Sequence, residues 1–362
     1  MRVVQSSTHR LHDPIDEVQW GRPVKLYERA VRADNIRAAL AADPSFALTD
    51  PIDHGREPLC AVHDPGLVAF LATAWEEIQP MLARDAVFPD TMLHPALRDG
   101  MEPGHSPASP LARLGQWCWE TMTPLTQGSY DAARAAVDIA LTATDLVLGG
   151  DRVAYGLCRP PGHHAPRAAY GGYCFFNNAA VAAHHVATTT GTKVTVLDVD
   201  YHHGNGTQQI FYQRDDVQYV SLHGDPDRAY PYFIGFADEV GAGRGRGSTL
   251  NLPLAARIDD DHYLAALAHA MDAIDEFGPA LVVVSLGVDT YVNDPLGDFA
   301  VTADGFERCG ALVGGLDRPT VVLQEGGYDI AAIGENVRRW LRGIAATIDA
   351  RHPPGLRTWV DG

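Results

Sequence analysis

Val194-Thr-Val-Leu197-Asp198-Val-Asp200-Tyr-His202-His203-Gly204-Asn205-Gly206 changes character at its fifth residue, from a short apolar, β-branched run to carboxylates, imidazoles and glycines. An apolar run without polar alternation reads as a strand buried on both faces, as in a parallel sheet covered by helices. Val217 to Leu222, Ala280 to Leu286 and Thr320 to Leu323 share that texture. Between these runs, Asn177 to Thr189, Asp259 to Phe277 and Ala303 to Leu316 carry helical spacing, and Asp259 to Asp261 would put carboxylates at a helix N-terminus, where the dipole favours them. Strand, helix, strand in this rhythm is the βαβ signature of a doubly wound sheet. Working outward, further strands are expected at Arg2 to Gln5 and Val153 to Cys158, with helices at Ala30 to Leu40, Gly66 to Ile78 and Tyr130 to Leu148. No linker divides the chain, so a single domain spanning residues 1–362 is expected.

Two stretches break the rhythm. Pro80 to Gly115 holds Pro89, Pro95, Pro103, Pro107 and Pro110 and reads as too proline-rich for a helix and too long for an ordinary connection, hence a rim loop. Gly224 to Gly247 ends in a glycine-rich run, but it lacks the G-x-G-x-x-G register and leads into a strand-like Ser248 to Leu252, so it reads as a loop rather than a phosphate cradle.

Composition narrows the classes of function. The chain has 28 Lys and Arg against 46 Asp and Glu, a formal charge of −18, which is the wrong sign for a phosphate backbone and argues against a nucleic-acid partner. Nowhere do about 18 uncharged apolar residues run together, so no membrane span is expected. Met1 to Arg10 has no apolar core of a secretory signal, which makes the cytoplasm the expected address. The five cysteines (Cys60, Cys118, Cys158, Cys174, Cys309) are scattered without a C-x-x-C pair and suit reduced thiols.

Four polar clusters each follow an apolar strand: Pro160-Pro-Gly-His163-His164, Asp198 to Gly206, Asp289, and Glu325-Gly-Gly-Tyr328. In open α/β sheets ligands bind beyond the carboxyl ends of the strands, so the four would converge on one pocket. Asp200 and His202, two apart on an extended segment, point to the same side and can reach one ion, with Asp289 as a third ligand. Two carboxylates and one imidazole suit Zn²⁺, and three protein ligands leave a position for water; iron(II), cobalt or manganese would also fit. The competing reading is that Asp200 and His202 only cap the helix that follows. His163 and His164, held stiffly after two prolines and a glycine, suit proton transfer as general base and then acid. Asp198 and Asn205 are expected to fix their tautomers. Tyr328, behind two glycines, would stabilise an oxyanion through its hydroxyl. His184-His185, inside a helix, reads as a surface or satisfied pair.

With these residues in place, the sequence resembles the zinc-dependent histone deacetylase superfamily, and most closely its bacterial acetylpolyamine amidohydrolases. The resemblance rests on Arg159 to His164, Gly171 to Asn178, Leu197 to Thr207, Ser221 to Pro226, Ser285 to Asp289 with Asp294-Pro295, and Glu325 to Tyr328, in family order from Met1 to about Gly343. It implies a three-layer α/β/α fold of the arginase and deacetylase type, with a mostly parallel sheet of about eight strands. It implies one Zn²⁺ on Asp200, His202 and Asp289, His164 as main base with His163 as its electrostatic or acid partner, and Tyr328 polarising the scissile carbonyl. Gly172 would accept a hydrogen bond from the substrate amide, and Tyr173 and Tyr230 would wall a narrow tunnel. A structural K⁺ is implied near Asp198, Asp200, His202, Ser221 and Leu222, as is a homodimer in which the rim loop narrows the partner's entrance. Arginase-like enzymes need a second metal, for which Gly204 and Tyr291 stand where bridging carboxylates would be required.

The expected function is therefore zinc-dependent hydrolysis of small N-acylated amines, acetylpolyamines first. The alternatives are a protein acetyl-lysine deacetylase and a catalytically silent metal or acyl-amine binding protein. Polyamine-cleaving members place carboxylates at the tunnel mouth where this chain aligns Leu114 and Met122; Glu102, Glu120 or Asp294 would have to substitute, or Trp117 and Trp119 would supply an aromatic rim.

Overall fold

The computed structural model describes residues 1–97, 99–101 and 104–352. Its strands are β1 (Arg2–Val4), β2 (Asp16–Gln19), β3 (Arg22–Lys25), β4 (Ala47–Thr49), β5 (Val153–Gly156), β6 (Val194–Asp198), β7 (Val217–Gly224), β8 (Thr249–Leu254), β9 (Leu281–Leu286) and β10 (Thr320–Gln324). The helices are α1 (Ala30–Ala41), α2 (Glu57–Val62), α3 (Pro65–Leu82), α4 (Pro110–Trp117), α5 (Ser129–Leu148), α6 (Asn178–Thr190), α7 (Asn205–Phe211), α8 (Asp260–Phe277), α9 (Ala303–Gly314) and α10 (Ile333–Arg351).

Eight strands form one sheet in the order β4-β1-β5-β10-β9-β6-β7-β8, every adjacent pair parallel. This is the expected arginase and deacetylase type of sheet, and the side-chain alternation explains its two coats. Val194, Val196, Leu281, Val283, Val321 and Leu323 pack with α3, α5 and α6, whereas Leu197, Val282, Val284 and Val322 pack with α1, α8, α9 and α10. Because both faces are covered, each central strand is apolar at nearly every position, which is why no polar alternation shows in its sequence. Asp259 caps α8 by accepting the His262 N–H.

Three expectations need correction. Helix α3 continues through Pro80 to Leu82, and α4 forms with Pro110 at its start, so the segment read as a rim loop is helical at both ends. A proline in the first turn lacks only an N–H that has no helical partner anyway, and Pro80 lies within the last turn, where few residues follow it. The β2–β3 hairpin was not expected; its turn, Trp20-Gly21, has φ of 52° and 72°, the left-handed pair that a tight hairpin turn requires. Glycine takes that conformation freely, and Trp20, 91% exposed at the tip, does not.

No helix among the described residues is long and apolar enough to cross a membrane.

Candidate active site

Beyond the carboxyl ends of β5, β6, β9 and β10, four loops meet. The loop after β5 is fixed from below by Arg159, whose buried guanidinium donates to Glu28 at 2.8 Å and to the carbonyls of His9 and His12 at 2.7 and 2.6 Å. Asn178 holds the Pro160 carbonyl at 3.1 Å, and Glu325 accepts from Gly162 N at 2.7 Å and His163 N at 3.2 Å. The paired histidines therefore leave a backbone that is anchored on several sides.

The rings of His163 and His164 lie with centroids 4.0 Å apart and planes tilted by 47°, and both are almost fully buried. Their partners differ in charge. His163 Nδ1 lies 3.1 Å from Asp198 Oδ2; His164 Nδ1 lies 2.7 Å from Asn205 Oδ1. Burial opposes charge on His163, but Asp200, Asp198 and Glu325 together push its pKa up to about 10. Burial, with His163 and His202 as neighbouring cations, drives His164 well below the ordinary histidine value. With the Asn205 oxygen as acceptor, the proton of neutral His164 sits on Nδ1, which leaves Nε2 free to take one.

Asp200, His202 and Asp289 offer ligand atoms that all lie within 4.8 Å of one another. His202 Nδ1 is 3.0 Å from Asp289 Oδ2 and 3.3 Å from Asp200 Oδ1. Gly326 N donates to the second oxygen of Asp200 at 2.7 Å and Tyr201 N to that of Asp289 at 2.8 Å, which aims the remaining oxygens at the imidazole. Burial and the Asp200 charge push Asp289 up to about 7. Two buried carboxylates forced together around an imidazole fit a divalent cation, which would relieve their repulsion. Space enforces the same cradle, since a Cβ on Gly326 would lie 2.4 Å from Asp289 Oδ2 and 2.6 Å from Asp200 Oδ2. At the position where a second bridging carboxylate would be needed, a Cβ on Gly204 would meet Asp198 Oδ2 at 2.3 Å.

A cavity of about 790 Å³ opens onto this centre, lined by His164, Gly172, Tyr173, His202, Tyr230 and Tyr328 and, nearer solvent, by Trp119, Met122, Trp20 and Phe233. Burial keeps the Tyr328 phenol protonated, well above its ordinary value, so it is a donor. Trp119 stacks on Tyr230 at 5.6 Å and 15°. Asp198 and Ser221 are register partners on β6 and β7, with Leu222 next along β7.

Several residues expected at the mouth are elsewhere. Leu114 is buried in the core, and Trp117 packs against that same core rather than on a rim. Asp294 is buried and accepts from Tyr328 N at 2.6 Å. Glu102 lies outside the described residues. Glu120 does line the cavity, but its carboxylate accepts from Gly172 N at 3.0 Å, from Thr123 Oγ1 at 2.5 Å and from Met122 N. Outside the mouth, the His184-His185 pair read as surface or satisfied has Asp145 3.8 Å from His185 and Arg214 2.7 Å from His184.

Sequence reading missed the support behind the site. Arg32 donates to the Gly327 carbonyl at 2.5 Å and the Glu325 carbonyl at 2.7 Å, shares Glu28 with Arg159, and lies 4.6 Å above the Tyr328 ring. Glu17, buried and pushed up to about 7 by desolvation, lies behind Tyr173. Nothing in the local sequence ties these residues to the site, since their partners are up to 295 positions away.

The family model described as the histone deacetylase domain matches residues 26–344. The chain is 41% identical to acetylpolyamine amidohydrolase 1 of Pseudomonas aeruginosa over 95% of its own length and 98% of that protein's. It is 38% identical to the acetylpolyamine amidohydrolase of Mycoplana ramosa over 95% of its length and the whole of the relative. The crystal structure of an acetylpolyamine aminohydrolase from Burkholderia pseudomallei superposes with a TM-score of 0.90 at 37% identity, covering 96% of this chain and 99% of that one.

Proposed function

As the chain belongs to the histone deacetylase family, we propose that it is a metal-dependent amidohydrolase that cleaves small, linear N-acylated amines, with acetylpolyamines as the physiological set. The observation that carries this reading is a cavity lined by neutral His164, Tyr328 and His202, the last of which shares a donor set with the buried Asp200 and Asp289. The names of the full-length relatives support the substrate class.

In this reading Asp200, His202 and Asp289 hold one divalent ion, Zn²⁺ by its preference for such nitrogen and oxygen donors, with iron(II) or cobalt as substitutes. When bound, the ion supplies Lewis acidity to the amide carbonyl and makes a water molecule more acidic. His164 Nε2 takes the proton of the attacking water, and the imidazolium returns it to the departing amine nitrogen. His163, held by Asp198, adds positive charge beside the developing tetrahedral centre. Tyr328 donates its hydroxyl proton in a hydrogen bond to the oxyanion. Gly172 accepts the amide N–H, and Tyr173 and Tyr230 exclude water along the alkyl chain.

A structural K⁺ near Asp198, Asp200, His202, Ser221 and Leu222 belongs to the same proposal, supported by the register that sets Asp198 beside Ser221 at the end of β6. So does a homodimer in which the 80–115 segment narrows the partner's entrance. Leu93, Leu97 and Met101 on that segment, with Trp20 and Phe233 at the mouth, are large apolar side chains exposed to solvent. The protein would act in the cytoplasm, consistent with five free cysteines among the described residues.

The test is turnover of N-acetylputrescine, N-acetylcadaverine, N-acetylspermidine and an acetyl-lysine peptide by metal-loaded and chelator-stripped protein. The small amines should be cleaved by the loaded form alone. Undiminished turnover in a sample shown to be metal-free, or cleavage of the peptide alone, would overturn the reading.

A further inference from the structure

Tyr328 stands on a soft support. Gly326 and Gly327 precede it, Gly327 has φ of 118°, and the phenol makes no hydrogen bond to another described residue. Where the hydroxyl sits is therefore decided by what holds the main chain and the ring. On one side Arg32 grips the Glu325 and Gly327 carbonyls and covers the ring face. On the other, Asp294 Oδ2 accepts both Tyr328 N, at 2.6 Å, and Asp329 N, at 3.1 Å. Its second oxygen accepts Leu296 N at 2.9 Å, and Asp294 N donates to the Tyr291 carbonyl at 2.9 Å. Asp294 is 8% exposed, so these contacts operate largely out of water, where hydrogen bonds to a charged acceptor are strong.

We propose that Asp294 is a positioning residue for Tyr328, its carboxylate fixing the tyrosine's main chain so that the hydroxyl meets the oxyanion. This inference rests on the role given to Tyr328 above. A mobile glycine pair would otherwise spread the hydroxyl over positions that differ by more than the tolerance of an oxyanion contact. An aspartate suits the task better than an asparagine, because one oxygen must accept two N–H groups while the other accepts a third. In asparagine one of those positions becomes a donor facing a donor.

The experiment is a double-mutant cycle on the metal-loaded enzyme with Asp294→Asn and Tyr328→Phe, together with ¹⁹F spectra of 3-fluorotyrosine placed at position 328. Asp294→Asn alone should lower kcat by about ten- to a hundredfold with little change in KM, as misplacement of a reacting group does. In the Tyr328→Phe background the same substitution should cost almost nothing further, and the ¹⁹F line should broaden or shift on Asp294→Asn with metal content unchanged. An equal loss in both backgrounds with an unaltered ¹⁹F line would mean that Asp294 only stabilises the fold. A near-normal kcat for Tyr328→Phe alone would instead remove the role of the phenol, and the ¹⁹F line would still decide whether Asp294 holds the ring in place. Should Asp294→Asn fail to fold, a main-chain ester at Tyr328, which deletes that N–H alone, makes the same comparison.

Discussion

Glu325 Oε2 accepts the main-chain N–H of Gly162 at 2.7 Å, across 163 positions of sequence. The same oxygen takes His163 N, and the second oxygen takes Ser285 Oγ at 3.2 Å. One buried carboxylate thus joins the loop of the paired histidines, the end of β9 and the loop of Tyr328. Its geometry relative to both catalytic candidates is set by the sheet, because Glu325 directly follows β10.

Replacement of Glu325 should separate hydrogen bonding from volume. Glu325→Leu leaves two buried N–H groups without an acceptor, at a cost of about 1–3 kcal/mol each, and should lower both the urea midpoint and kcat. Glu325→Gln can keep its oxygen toward the two N–H groups and its amide toward Ser285, so most of the stability should remain. Equal losses in the two variants would show that the stitch does not act through hydrogen bonds.

Tyr328→Phe and His164→Ala should both fold and retain the metal. Each should lose turnover, the first by about 10²- to 10³-fold, as loss of one oxyanion donor does. Metal analysis alongside kcat checks the assignment: loss of the ion from His164→Ala would make His164 a ligand instead of a base.

The core of the fold and the polar clusters were legible for one reason. β6, β9 and β10 are covered on both sides, so each shows as an uninterrupted apolar run, and chemistry in such sheets follows directly after the strand. The β2–β3 hairpin was not legible: Pro23 and the charged Asp16 and Glu17 argue against a strand, and a contact from outside, Thr121 Oγ1 to the Val18 carbonyl at 2.8 Å, supports it. Helix α4 was hidden by the prolines that precede it and by Pro110 at its start, and Asp294 was considered for the tunnel mouth because the two N–H groups its carboxylate accepts, Tyr328 N and Asp329 N, carry no sequence signal. The Arg32–Glu28–Arg159 network is invisible for the same reason, since a buried ion pair is recorded in three dimensions and not in local pattern.

Gly326→Ala should disturb the proposed metal centre without replacing any of its ligands. The added Cβ would fall within 2.6 Å of carboxylate oxygens from both Asp200 and Asp289, and neither has room to retreat in a buried site. Metal affinity should fall by about ten- to a hundredfold, as it does when the support of a ligand is altered. Competition dialysis against a chelator measures it; unchanged affinity would mean that the cradle is looser than these contacts imply.

His54 should make stability depend on pH. Its imidazole lies between Asp138, at 3.6 Å, and Asp145, at 3.0 Å, and these carboxylates raise its pKa above the ordinary histidine value against a smaller effect of burial. A raised folded-state pKa contributes stability that is complete below the unfolded value of about 6.5 and fades as pH rises through the folded one. Wild type should therefore exceed His54→Gln in urea midpoint by most below about pH 6, with the difference shrinking in alkaline buffer. A difference that grows with pH would refute the charged pairing.

Recognition of a distant ammonium should be sensitive to salt. Of the three carboxylates considered for the mouth, Glu102 lies outside the described residues, while Glu120 and Asp294 already accept main-chain N–H groups and so are not free to close an ion pair. Among the described residues, what can still act is the long-range field of a chain with formal charge −18 and an aromatic rim of Trp119, Trp20 and Phe233. A field of this kind raises the encounter rate and is screened beyond about 10 Å at 0.1 M salt. Cation–π contact adds only about 0.5–1 kcal/mol at an exposed site. The expected result is that kcat/KM for N-acetylputrescine exceeds that for an uncharged acetyl-alkylamine of equal length in dilute buffer, and that the ratio falls below about tenfold, or 1.4 kcal/mol, at high salt. A preference that survives high salt would require a desolvated carboxylate at the mouth, and the place to seek it would then be the 80–115 segment of a second copy, if the proposed homodimer forms.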